Sequence, residues 1–260
     1  MNKFILSTAL TGVMAAMASV PALAGDMEHR IVEKVIAAYG GNKFENMKSV
    51  TITSDLRYGW LGQGQSDDLV ELEPMKKIYE IDLVNQKGSE EAWGAGGGYA
   101  EEVIFDGDKQ ITVNFLDKTF TVDEEADFYG HFGGEIRVVD TLLAYELMKQ
   151  RDKATLKGEK MYKGADHYIL EFDMPGTSIE PQLWINKDTG LISKMMRDIP
   201  DTYLLTYIFG DHQTSKGITY SDDFELWVGD QIVEYAKGHT LVPNRVRASA
   251  FAVEKGIEAA

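Results

Sequence analysis

The segment spanning residues 167–198 constrains the fold more than any other part of the chain. Apolar and polar residues alternate over 167–173, and a period of two is typical of a β-strand with two different faces. Two further apolar runs, 183–185 and 191–196, are separated by the sequence NKDTG. Asn and Asp side chains hydrogen-bond their own backbone in turns, and glycine accepts a positive φ. The segment therefore predicts consecutive antiparallel strands joined by tight turns.

Strand-like alternation continues through much of the chain. It predicts strands over residues 48–60, 76–84, 103–105, 110–115, 154–162, 202–209, 217–220, 224–228, 231–235 and 244–253. Short strands separated by short turns imply a meander of antiparallel neighbours. The glycine-rich residues 94–98 predict a flexible connection, and no Lys-Ser or Lys-Thr pair follows them as a phosphate-binding loop requires.

Two segments carry the period of an α-helix instead. Residues 27–39 form one apolar stripe, and two glycines follow them, as is common just past a helix end. Residues 136–153 carry a second stripe, whereas residues 128–134 before it predict an aromatic, glycine-rich loop. Two helices against one long meander predict an α+β fold, in a single domain over residues 25–260.

Residues 1–24 have the features of a secretory signal peptide. Lys3 supplies the positive charge, an apolar run follows, and the small residues around Ala24 form a cleavage site. The run is short for a membrane span and is diluted by hydroxyl residues. We therefore expect export to a periplasm of the Gram-negative type, or secretion, without stable membrane insertion after the signal is removed.

Composition excludes several classes of function. The chain has no cysteine, so it forms no disulfide and cannot use a thiol nucleophile. Its formal net charge is −16 at pH 7. A strongly acidic protein is repelled by phosphate backbones and by anionic membrane surfaces. Nucleic acid is therefore not an expected partner.

No motif for catalysis, metal binding or cofactor binding is found in the sequence. The five histidines are scattered singly, and no Gly-x-Ser-x-Gly motif is present. His212, which follows an aspartate, is predicted to lie in a solvated turn, and His131 in the aromatic loop. Adjacent acids such as Glu90 and Glu91 also look like solvated turns. We therefore expect no enzyme, no metal and no cofactor.

The apolar inventory leaves two interpretations open. Aromatic and aliphatic residues on the predicted strands and the second helix belong either to an ordinary filled core or to the lining of a ligand cavity. The cavity candidates are Trp60, Tyr79, Phe105, Phe115, Leu143, Leu147, Trp184, Tyr207 and Trp227. Trp184 points to the opposite face from Leu183 and Ile185, which predicts a mid-sheet strand with both faces covered, one of them by a second layer.

Two local patterns resemble known families. The helix end AAYGG (37–41) and the hairpin LWINKDTGL (183–191) resemble the periplasmic lipoprotein-carrier superfamily, LolA/LolB-like, with Asn186 in place of the usual Asp. This resemblance implies a large antiparallel, unclosed β-barrel, a half-barrel, with a few covering helices and an apolar interior. Residues 140–147 and 154–158 are similar to the N-terminal, non-catalytic module of some exported metallo-β-lactamase-fold hydrolases. No His-x-His-x-Asp-His run is present, so hydrolase activity is not implied.

These observations predict a periplasmic binding or carrier protein for an apolar ligand. The ligand would be a lipid, an acyl chain or a lipoprotein acyl group, held between the curved sheet and the helices. The alternative is a non-catalytic module that interacts with a periplasmic protein through its surface or a sheet edge.

Overall fold

The computed structural model describes residues 24–59, 72–200, 202–247 and 249–252. Apart from Ala24, the predicted signal peptide lies outside them. The helices are α1 (Ala24–Tyr39), α2 (Asn42–Glu45), α3 (Phe128–Arg137) and α4 (Asp140–Lys149), with a 3-10 turn at Arg151–Lys153. The strands are β1 (Ser49–Tyr58), β2 (Glu73–Asp82), β3 (Lys87–Gly94), β4 (Ala100–Phe105), β5 (Gln110–Asn114), β6 (Thr119–Asp123), β7 (Thr155–Tyr162), β8 (Ala165–Glu171), β9 (Gln182–Asn186), β10 (Ile192–Ile199), β11 (Tyr203–Ser215), β12 (Ile218–Val228), β13 (Gln231–Lys237) and β14 (Thr240–Pro243).

The 14 strands of the described residues belong to one antiparallel sheet. Its order is β6-β5-β4-β3-β2-β1-β13-β12-β11-β10-β9-β8-β7, and β14 pairs with β1 beside this path. Strands β6 and β7 form the two ends and do not pair with each other, so the sheet is not closed. The predicted fold class, an unclosed antiparallel half-barrel with a few helices, is confirmed.

One face of the sheet, here called the helix-covered face, carries the main core. Val50 and Ile52 on β1 and Tyr79 and Ile81 on β2 point to it and are buried. The apolar stripe of α1 packs against the same core, as the helical period over 27–39 predicts. Burial of this stripe against the sheet explains why a helix forms here.

The prediction of one long helix over 136–153 is wrong. The chain forms two helices, because Val139 adopts an extended conformation, with φ −125° and ψ 107°, between α3 and α4. The predicted loop over 128–134 is part of α3. Asp127 caps α3 by accepting a hydrogen bond from Gly130 N, and Phe128, Phe132 and Ile136 recur every four residues and are buried.

The strand predictions also need correction, as three examples show. Strand β3 was missed, because Glu90 and Glu91 suggested a solvated turn, although Glu90 is buried. The two runs 217–220 and 224–228 are one continuous strand, β12. The strand predicted over 244–253 is not formed by the described residues of that range, which follow β14 as turns and irregular backbone.

A buried hydrogen-bond network joins the helices to the sheet. Tyr39 Oη, at the end of α1, donates to Asp140 Oδ2 at 2.7 Å and accepts from Ile192 N at 3.2 Å. Asp140 also accepts from Ser221 N at 2.9 Å, and its Oδ2 lies 3.0 Å from His212 Nε2. His212 is therefore a half-buried partner of Asp140 within β11 and does not lie in the predicted solvated turn.

Candidate functional site

The structure brings together five of the nine proposed cavity residues. These five are buried in the core on the helix-covered face: Tyr79, Phe105, Leu143, Leu147 and Tyr207. Phe115 is half-buried in the turn between β5 and β6, and Trp227 is half-buried, with its Nε1 donating to Glu225 at 2.9 Å. Trp184 lies on the other face, and Trp60 lies outside the described residues.

Trp184 is covered by side chains of its own sheet. Strand β9 lies between β8 and β10, so its predicted mid-sheet position is confirmed. The ring of Tyr162 packs edge-on at 5.9 Å between centroids, and Lys194 Nζ lies 3.6 Å from the centroid of the indole. Within the described part of the chain, neighbouring side chains of the sheet provide this cover, so the predicted second layer is wrong at Trp184.

Charged side chains cluster on the helix-covered face, beside α3. Lys77 Nζ lies 2.9 Å from Glu90 Oε1 and 3.5 Å from Glu135 Oε1. His131 Nε2 lies 2.8 Å from Glu90 Oε2. Glu234 is buried on the same face, where it pairs across the sheet with Tyr58. These five residues, Lys77, Glu90, His131, Glu135 and Glu234, are called the ionisable cluster.

The electrostatics of the ionisable cluster keep one carboxyl neutral. Burial raises the pKa of Glu234 to about 8; the charge of Lys77 opposes this shift, and the charges of Glu135 and Glu90 add to it. Burial would also raise the pKa of Glu90, but the hydrogen bond with His131 and the charge of Lys77 lower it to about 2. At neutral pH, Glu234 is therefore a protonated acid, whereas Glu90 is a carboxylate.

Two arginines and a tyrosine converge next to this cluster. Arg137 is in the last turn of α3, and Arg197 and Tyr207 are on the neighbouring strands β10 and β11. Arg197 Nη2 donates to Thr177 Oγ1 at 2.6 Å. Burial and the charge of Arg137 lower the pKa of Arg197. Burial raises the pKa of Tyr207, although the charges of Arg137 and Arg197 both oppose this shift.

Apolar side chains continue the core between these charged groups. Tyr58, Met75, Leu205 and Leu226 pack against the core but remain partly exposed. Strand pairing aligns two of them with the polar residues: Leu205 is opposite Arg197, and Leu226 is opposite Tyr207. Leu226 is in turn opposite Glu234. These four residues are called the apolar row, and the face here is amphipathic.

Sequence reasoning missed most of this site. Lys77 has the same strand phase as Tyr79 and Ile81, and Glu234 has the same phase as Ala236, so alternation could have indicated that both point inward.

The absence of a metal site stays a prediction. Among the described residues, no three His, Cys, Asp or Glu side chains are grouped to hold a metal ion. The described helices include none long and apolar enough to cross a membrane.

The comparison with known proteins supports the fold but adds no sequence relative. No protein-family model matches the chain, and no curated protein matches its sequence. A DUF1329 family protein from Desulfovibrio piger is similar in structure, with a TM-score of 0.57 and 12% identity, over 89% of this chain and 98% of that one. A LolA superfamily protein from Nitrosomonas europaea is similar with a TM-score of 0.52 and 13% identity, over 90% of this chain and 100% of that one.

The chain therefore has a LolA-like fold, as its helix end and hairpin motif predicted. The resemblance to the N-terminal module of metallo-β-lactamase-fold hydrolases stays a prediction.

Proposed function

We propose that this protein is a periplasmic binding or carrier protein for an apolar ligand. The ligand is a lipid, an acyl chain or a lipoprotein acyl group, and it binds between the sheet and the helices. The observation that carries the proposal is the apolar row, which extends the buried core as a partly exposed surface on the helix-covered face. The LolA-like fold and the signal-peptide pattern support it.

The protonation state of Glu234 makes the apolar row compatible with an acyl chain. Glu234 lies between Leu226 and Tyr58 in the strand pairing, in the middle of the row. A charged carboxylate there would have to be desolvated by a bound chain, at a large cost in free energy. With a pKa of about 8, Glu234 is neutral at pH 7 and this cost is avoided. The proposal includes no catalytic step, metal or cofactor.

Binding of a fluorescent fatty acid to delipidated protein tests the proposal. Uptake should be saturable and should be competed by unlabelled fatty acid. Leu205→Glu places a charge in the apolar row and should weaken binding about tenfold or more, because the chain would then contact an ionised group. Thr206→Glu is the matched control, since this neighbouring residue points to the other face of the sheet. If the wild-type protein shows no saturable uptake of any lipid, the proposal is wrong.

A protein-interaction module is the second candidate, and edge strand β6 favours it. Every residue of β6 is exposed, and Phe120 and Val122 are 43% and 42% exposed. Among the described residues, β6 pairs only with β5, so its other edge offers backbone groups to an added strand. A stoichiometric partner recovered from periplasmic extract, and lost with Phe120→Lys while fatty-acid uptake is retained, would favour this function over the first.

A further inference from the structure

We propose that Arg137, Arg197 and Tyr207 form a subsite for the anionic head group, carboxylate or phosphate, of an amphiphilic ligand. The inference rests on the proposed function, because the apolar row would hold the chain of the same ligand. It goes beyond that function by assigning the chemical class of the head group and the residues that recognise it.

The three side chains come from different elements but converge on one place. Arg197 follows Met195 by two residues on β10, and Met195 is paired with Tyr207, so Arg197 and Tyr207 point to the same face on neighbouring strands. Arg137 reaches this place from α3. Both guanidinium groups act on the pKa of the Tyr207 hydroxyl, which places that hydroxyl beside the two cations.

The hydrogen-bonding state of the arginines indicates that they recognise an anion. Nε and Nη1 of Arg137 and Nε of Arg197 are buried, and no described residue provides a hydrogen-bond acceptor for them. Within the described part of the chain, neither arginine forms an ion pair with a carboxylate. Glu234, whose charge would act on Tyr207, is protonated at neutral pH. Two adjacent, half-buried arginines whose buried donors Nε and Nη1 of Arg137 and Nε of Arg197 are unpaired favour a ligand that carries negative charge.

The geometry of the donors defines the chemistry of the ligand. A guanidinium group is a planar fork of N–H donors that matches carboxylate and phosphate oxygens. The neighbouring residues across the strands are Leu205 and Leu226, which belong to the apolar row. A molecule that contacts both the guanidinium donors and the apolar row has an anionic head and an aliphatic chain, such as a fatty acid or a single-chain phospholipid.

Calorimetry on the delipidated protein tests this subsite with four probes. Dodecanoic acid and dodecyl phosphate carry an anionic head, dodecanol has the same chain without charge, and inorganic phosphate is a head group without a chain. We expect the wild-type protein to bind the two anionic amphiphiles at least tenfold more tightly than dodecanol, since hydrogen bonds to charged groups are strong. Arg137→Gln and Arg197→Gln should each abolish this preference. Arg151→Gln, a half-exposed arginine paired with Glu33, is the matched control.

The outcomes separate the subsite from the proposed function. Equal binding of dodecanol and dodecanoic acid by the wild-type protein overturns the subsite but leaves the apolar-ligand proposal intact. Arginine-dependent binding of inorganic phosphate with no binding of any amphiphile supports the subsite and refutes the lipid function. Binding of no probe overturns both.

Thermal melting distinguishes recognition from a structural role. Arg137→Gln removes two buried donors that have no partner among the described residues, Nε and Nη1, together with the contact to Tyr207, and should therefore unfold at about the same temperature as the ligand-free wild type. A lower unfolding temperature for both glutamine variants, with preference for the anionic head retained, would show that the arginines stabilise the fold and overturn the inference.

Discussion

Glu234 is expected to make the stability of this protein fall as the pH rises above 5. In the folded state its pKa is raised from 4.5 to about 8, mainly by burial. Between these values the folded protein holds a proton that the unfolded chain has lost. Ionisation therefore favours the unfolded chain, and each pH unit lowers the free energy of unfolding by about 1.4 kcal/mol. The loss is about 3 kcal/mol at pH 7 and about 5 kcal/mol at pH 9.

Glu234→Gln removes this penalty, because glutamine is close in shape to the protonated acid and does not ionise. The variant should match the wild-type protein at pH 4 and exceed its stability by about 3 kcal/mol at pH 7. Urea unfolding at a series of pH values measures the difference directly. Glu73→Gln is the control, since Glu73 is an exposed residue of β2, and its difference from the wild type should stay small at every pH.

The opposite result would refute the reasoning. If Glu234 were ionised and stabilised by Lys77, the substitution would leave a buried ammonium with less compensation. The variant would then be less stable than the wild-type protein at pH 7, by several kcal/mol. A stability difference that does not change between pH 4 and pH 9 would also show that Glu234 keeps an ordinary pKa.

Three further substitutions test the packing. Trp184→Ala should lower the free energy of unfolding by about 3–5 kcal/mol. Fatty-acid uptake per folded molecule should stay unchanged, because the indole lies on the face opposite the apolar row. Reduced uptake would show that Trp184 contacts the ligand. Tyr39→Phe removes the donor to Asp140 and should cost about 1–3 kcal/mol in urea unfolding; no loss would mean that the network contributes little. Gly88→Ala places a Cβ 2.5 Å from the Phe132 ring and should lower the melting temperature, whereas Gly96→Ala, with no neighbour within 4 Å, should not.

The features that the sequence predicted well depend on interactions between residues close in the chain. In the turn over 186–190, Asn186 Oδ1 accepts from Asp188 N at 2.9 Å and from Thr189 N at 3.0 Å, and Gly190 has φ 78°. These contacts span only a few residues, so residue types alone indicate the turn. The apolar stripe of α1 and the alternation in β8 and β9 are equally local, and they determined the meander and its covering helix.

Local patterns failed where a buried position carries a charge. Glu90 looks like part of a solvated turn, because the sequence does not show that Lys77 and His131 will neutralise it. The segment that forms α3 looks like a loop, because glycine is a poor helix former and hides the spacing of its phenylalanines. In both cases burial against distant residues outweighs local preference.

The amino-acid sequence by itself therefore determined most of the strands and the first helix, and the family resemblance of its local motifs predicted the antiparallel half-barrel. Only the tertiary structure decided which side chains share the helix-covered face and form the candidate site. Glu234 meets the ionisable cluster because β13 pairs with β1, and Arg137 meets Arg197 and Tyr207 because α3 packs over the sheet. These partners lie many residues apart in the chain, and their proximity depends on strand order and register, which local periodicity does not contain.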